Sequence, residues 1–223
     1  MEEGPGPGPL LQLFLGHGPQ IFVWDDQTEV TLKTKFRIIG NRVGPMDHTG
    51  KSRMPLAIPP EAAILAKNIN AALVIKSTDT TQLQGGQKVK VHTSASSNGQ
   101  SLALATDDDI LARGSTSSKS KVFVYRHLWD RGYFLTSGAK YGADYLCYDE
   151  NPDGCHAFAI VHIIKPNQQL PAAELQSAAR MAHSTRKIAI LASTDEEGRC
   201  CFIALDGVSA KQMPYEFDDL CNP

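Results

Sequence analysis

Cysteine is scarce in this sequence and is not arranged in pairs. The 223 residues hold five cysteines (Cys147, Cys155, Cys200, Cys201 and Cys221), an odd number with no Cys-x-x-Cys spacing. That pattern argues against a disulfide framework and predicts reduced thiols, as in a cytosolic or nuclear protein. Long apolar runs are also missing: none approaches the ~18 residues that a membrane span needs, so no membrane segment is expected. The first residues, Met1-Glu2-Glu3-Gly4-Pro5, have neither the basic start of a signal peptide nor the arginines of a transit peptide. Nor is there an excess of charge of one sign. Lys and Arg number 22 against 24 Asp and Glu, a formal net charge of -2. A protein that coats nucleic acid by bulk charge is thereby excluded, as is a long acidic tail. Residues 1–120 hold 12 basic against 11 acidic residues, and residues 121–223 hold 10 against 13. Any polyanion must be held by a local cluster or by partner subunits.

What is present is apolar content of 42%, enough for one generous core or two small ones. Residues 1–20 alternate Gly and Pro from Gly4 to Pro9 and read as a disordered tail. Ile21-Phe22-Val23-Trp24 reads as a strand stopped by Asp25-Asp26, and Phe36-Arg37-Ile38-Ile39 as another. Pro59-Pro60-Glu61 opens a helix, proline suiting the first turn and the acid complementing its positive end. Leu65, Ile69 and Leu73 form its expected apolar stripe. Residues 21–92 are thus expected to form an N-terminal α/β module. The serine-rich stretch 93–118, with Asp107-Asp108-Asp109 inside it, reads as a linker carrying a short helical piece at 107–113. Beyond it, the spacing predicts a helix over 122–131, strands at 133–135 and 143–148, and a strand over 156–164. A helix over 172–187 and strands at 188–191 and 201–205 complete a compact α/β domain within 119–223.

The helix expected at 172–187 places Arg180, His183 and Lys187 along one side, with Arg186 at its end. Two readings stand: a solvated cationic face that complements the helix C-terminus, or a site for an anion such as a phosphate. On the strand expected at 156–164, alternation puts His156, Phe158, Ile160 and His162 on one face. His156 and Tyr148 read alone as ordinary strand-end residues.

Taken together, these residues resemble a known family. Tyr133-Phe134-Leu135-Thr136-Ser137-Gly138, Lys140-Tyr141-Gly142, Asp144-Tyr145-Leu146 and Tyr148, preceded by His127-Leu128-Trp129 and Gly132, resemble the catalytic domain of tRNA-splicing endonuclease subunits. The likeness is nearest to the eukaryotic catalytic subunit that cuts the 3′ splice site. Phe22-Val23-Trp24, Arg37-Ile38-Ile39-Gly40, Pro55-Leu56 and Pro59 with Glu61-Ala62 resemble that subunit's amino-terminal region. The resemblance implies a small N-terminal mixed α/β module followed by a tRNA-intron-endonuclease catalytic domain, an α/β fold similar to restriction endonucleases.

It also implies a catalytic triad of Tyr148, His156 and Lys187, the histidine 8 residues after the tyrosine and the lysine 31 after the histidine. The family reaction is attack of a ribose 2′-OH on the adjacent phosphate, leaving a 2′,3′-cyclic phosphate and a 5′-OH. A base, an acid and a cation suffice for it. Histidine changes charge near neutrality and suits the leaving oxygen; lysine supplies a point charge for the phosphorane; tyrosine activates or orients the nucleophile. The resemblance further implies that Arg180 stacks on a bulge base, with Gly207 standing where relatives carry the second, aromatic plate. It implies precursor tRNA as substrate, a second catalytic subunit and two structural subunits as partners, and a nuclear location or the outer surface of an organelle. No cofactor and no metal are expected. No lysine has an acid two positions earlier, as a magnesium-dependent nuclease would need, and Cys147, Cys155 and His156 lack zinc-ligand spacing. The rival readings are a non-catalytic assembly subunit and an RNA-binding module of the same complex.

Overall fold

The computed structural model describes residues 10–15, 20–78, 101–112 and 118–205. They fall into two compact units: the described residues of 1–36 and 40–115, and those of 37–39 and 116–223.

The first unit is built on a six-stranded mixed sheet in the order β3-β4-β2-β1-β5-β6. Its strands are β1 (Leu11–Leu15), β2 (Ile21–Val23), β3 (Asn41–Arg42), β4 (Leu56–Ile58), β5 (Ala72–Thr78) and β6 (Ser101–Leu104). Helices α1 (Asp26–Phe36), α2 (Pro60–Asn68) and α3 (Asp107–Leu111) complete it. Several expectations need correction here. Residues 11–15 are a central strand, paired to β2 and parallel to β5, with Leu13 fully buried. Five residues of alternation outweigh the Gly/Pro-rich flanks. Within the expected linker, Ser101–Leu104 pairs antiparallel with β5. Thr106 then caps α3 through a reciprocal box with Asp109, so the helical piece is present where the acids indicated. Asp25 begins a helix that the sequence reading lacks: its carboxylate accepts from the Thr28 N–H at 2.7 Å. The β-branched content of α1 hides it from propensity. The Pro59-Pro60 start is correct, but the stripe overruns. Ile69 is the C-cap, Asn70 turns left-handed at φ 55°, and Leu73 lies on β5.

The second unit holds a five-stranded sheet in the order β11-β10-β9-β8-β7. The elements are α4 (Ser118–Asp130), β7 (Phe134–Ser137), β8 (Tyr145–Tyr148), β9 (Ala159–Ile163), α5 (Ala172–Ser184), β10 (Ile188–Thr194) and β11 (Cys200–Leu205). All neighbours are antiparallel except β9 and β10, which run parallel through the α5 crossover. Val124, Tyr125 and Leu128 of α4 are buried, and the Tyr125 ring meets Tyr145 edge-on at 5.6 Å. Leu146, Ile160 and Ala189 of the sheet pack with Ala182 of α5. Each fully buried Leu or Ile adds roughly 1.5–3 kcal/mol. Residues 37–39 also belong to this unit. Ile38 bridges Leu135 on β7, and the Arg37 guanidinium lies 4.8 Å from the Trp129 ring while donating to its carbonyl oxygen. Phe36-Arg37-Ile38-Ile39 is therefore the end of α1 plus a single bridge rather than a strand. Among the described residues no helix is long and apolar enough to cross a membrane.

Candidate active site

One line across the second sheet organises the site. Cys147 on β8 is in register with Ala159 on β9, and Ala159 with Ile188 on β10. Tyr148 follows Cys147 by one residue, Lys187 precedes Ile188 by one, and His156 lies three residues before Ala159, the first residue of β9, in the β8–β9 connection.

 Strands in a sheet lie about 4.8 Å apart, so the backbones of Tyr148 and Lys187 stand roughly 10 Å apart at one end of the sheet. Alternation puts Tyr148 on the face of Leu146 and Lys187 on the face of Ala189. Both of those residues belong to the cluster under α5, and Tyr148 packs against it.

Each candidate is delivered by a different local device. Tyr148 ends β8 opposite Phe134 on β7, and the Thr136 hydroxyl approaches its phenolic oxygen at 3.4 Å. His156 is exposed and stands outside the strand expected over 156–164, because β9 begins only at Ala159. The chain before it is wound around Asn151, whose side-chain oxygen accepts from the Asp153 N–H and whose carbonyl accepts from the Gly154 N–H. Regular alternation fails there: Ala157 and Ile160 share one core cluster instead of opposite faces. Lys187 is not on the helix either. α5 ends at Ser184, and the Lys187 N–H closes back on the Ala182 carbonyl at 2.8 Å, with Arg186 left-handed at φ 55°. The expected line of Arg180, His183 and Lys187 along one helix face is therefore broken at its last member. Arg180 and His183 remain exposed on α5.

The loop between β7 and β8 supplies a residue to which the sequence reading assigned no role. A Cβ at Gly138 would sit 2.8 Å from the Tyr145 nitrogen and 2.9 Å from the Ala143 carbonyl group, so only glycine allows the chain to cross itself. The short 3-10 turn Ala139–Tyr141 follows, closed by Gly142 at φ 66°. It carries Tyr141, whose ring centroid is 5.8 Å from Lys187 Nζ; that ammonium also donates to the Thr185 carbonyl at 3.1 Å. The available signal was the Lys140-Tyr141-Gly142 motif itself. Asp144 anchors the loop: one carboxylate oxygen accepts from the Ile163 N–H and the other pairs with Lys121 Nζ, both at 2.7 Å.

Beside Tyr141 a cleft of about 460 Å³ runs between α5 and β9, lined by Asp144, His162, Leu175 and Met181 among others. Burial lowers the His162 imidazole below its ordinary pKa, and the Asp144 carboxylate partly opposes that. Burial, reinforced by Asp149, pushes the Cys147 thiol far up, so it stays protonated and is no nucleophile. Gly207 and the tail around Tyr215 to Asp219 lie outside the described residues.

Comparison with known proteins places the second unit in a family. Residues 119–202 match the profile of the tRNA intron endonuclease, catalytic C-terminal domain. The tRNA-splicing endonuclease of Methanothermobacter thermautotrophicus is 32% identical over 116 residues, covering 48% of this chain and 68% of that protein. The chain belongs to the tRNA-splicing endonuclease family. The human tRNA-splicing endonuclease subunit Sen34 is 32% identical over 96 residues, 43% of this chain and 31% of its own length. The tRNA-splicing endonuclease of Hyperthermus butylicus is 44% identical over 71 residues, 32% of this chain and 39% of its own length. The chain thus spans about a third of the length of these two relatives. Its second unit carries the family's catalytic domain, and the fold is mixed α/β with two mixed sheets.

Proposed function

We propose that this chain is the subunit of a tRNA-splicing endonuclease that cleaves precursor tRNA at the 3′ splice site. The observation that supports the reading is the register line above, which sets Tyr148 and Lys187 in one row at one end of the sheet, with His156 in the connection that leads into the strand between them. In this mechanism Tyr148 takes or orients the 2′-OH proton, and the 2′ oxygen attacks the adjacent phosphorus. Lys187, steadied by Tyr141 and the Thr185 carbonyl, balances the charge on the non-bridging oxygens. His156, exposed beside the strand end, gives a proton to the departing 5′ oxygen. The products are a 2′,3′-cyclic phosphate and a 5′-OH, and no metal enters any step.

A net charge of -2 suits a subunit that shares its RNA surface with a second catalytic subunit and two structural ones, in the nucleus. The substrate is recognised by shape and by a splayed bulge. Arg180, exposed on α5, stacks on a bulge base. The test is cleavage of intron-containing precursor tRNA by the complex co-purified with this chain. His156→Ala should abolish the 3′ cut while leaving the 5′ cut and assembly intact. Loss of both cuts in an assembled complex would refute the division of labour.

A further inference from the structure

The turn between α5 and β10 holds an arginine where the backbone favours glycine. Arg186 has φ 55°, its N–H bonds to the His183 carbonyl at 3.1 Å, and the next N–H bonds to the Ala182 carbonyl at 2.8 Å. This closure places a left-handed residue just past the helix, a position that glycine fills without the Cβ penalty that other residues meet. The arginine side chain returns little to the fold: it is exposed, and among the described residues nothing pairs with its guanidinium. A cation near a helix C-terminus is favourable, but any residue of the last turn can supply it without adopting the left-handed backbone. Strain retained without structural return points to function.

The same turn carries Lys187 off the helix to the sheet end, so Arg186 is bonded directly to the lysine that faces the reacting phosphate in the function proposed above, on which this inference rests. A planar fork of donors matches phosphate oxygens two at a time. We infer that Arg186 is a substrate-positioning residue: it grips a backbone phosphate of the RNA beside the scissile one and so registers the strand on Lys187. It takes no part in the bond making or breaking.

The experiment uses the assembled complex with Arg186→Gly and Arg186→Lys. The probe is a precursor tRNA bearing a 2′-deoxy residue at the 3′ splice site, which binds but cannot be cut. One phosphate contact on a single strand contributes about 0.7 to the slope of log K against log salt, and so roughly fourfold in affinity at about 0.15 M. Arg186→Gly should weaken binding by about that factor and flatten the slope by about 0.7. On cleavable RNA the loss should appear in KM rather than kcat. The melting temperature should stay level or rise, by up to about 4 °C, because glycine relieves the turn. Arg186→Lys should restore the slope while binding less tightly than arginine. Parental affinity and slope in Arg186→Gly would overturn the assignment. So would a lower melting temperature with kcat and KM both impaired, since that marks a structural role. If the parent complex binds the RNA but makes no 3′ cut, the proposed function fails, while a shifted slope in Arg186→Gly would still support the phosphate contact.

Discussion

Removing the Asp144 carboxylate tests how the β7–β8 loop is held beneath Lys187. Two interactions are lost together in Asp144→Ala. The Ile163 N–H loses a 2.7 Å charge-assisted bond, worth about 1.5–3 kcal/mol when the donor is left unpaired. Lys121 loses its 2.7 Å ion pair, whose side chains are 30% and 21% exposed; such a partly solvated pair adds at most about 1 kcal/mol. The expected cost is therefore about 1.5–4 kcal/mol. Asp144→Asn retains an acceptor for Ile163 and loses only the ion pair, so it should cost about 1 kcal/mol or less. Trp24→Phe provides a clean background: the chain has two tryptophans, and Trp129 then reports on the second unit alone. Urea unfolding followed by Trp129 fluorescence should show the larger loss of free energy for alanine at an unchanged m-value. Equal losses in the two variants would refute the reasoning, because the ion pair and not the backbone bond would then be anchoring the loop.

Two further outcomes are expected. The His162 pKa is lowered from 6.5 by burial against the opposing pull of Asp144, so the unfolded chain binds the proton more readily. The stability of the second unit should then be fullest above about pH 6.5 and fall as the solution is acidified below it. His162→Gln should flatten that fall in urea titrations, and an unchanged slope would refute the assignment; His127, lowered by burial and by Arg131, contributes in the same direction and remains in the variant. Cleavage of precursor tRNA should persist in EDTA once polyamine keeps the RNA folded, with ends that resist ligation requiring a 3′-OH; a strict need for magnesium, or 5′-phosphate products, would sink the mechanism.

Local chemistry in the sequence was enough to determine several elements. Proline at Pro59-Pro60 starts α2, apolar spacing marks α4, and the Asp195-Glu196-Glu197-Gly198 turn joins β10 to β11 through Gly198 at φ 84°. The words from Tyr133 to Tyr148 were also legible as a family signature, because they are contiguous and their glycines answer to one loop, Gly138 to a close crossing and Gly142 to a left-handed turn. Only the tertiary structure decided that Leu11–Leu15 is a central strand, since that role depends on pairing with β5, about sixty residues away. It also decided that Ser101–Leu104 closes the same sheet. At the site, helical periodicity carried Lys187 along α5, but a left-handed residue ended the helix first and left the lysine just before β10. Tyr148 and Lys187 stand at the same sheet end because β8, β9 and β10 share a register. Register is a property of long-range hydrogen bonding and shared burial, and no window of neighbouring residues contains it.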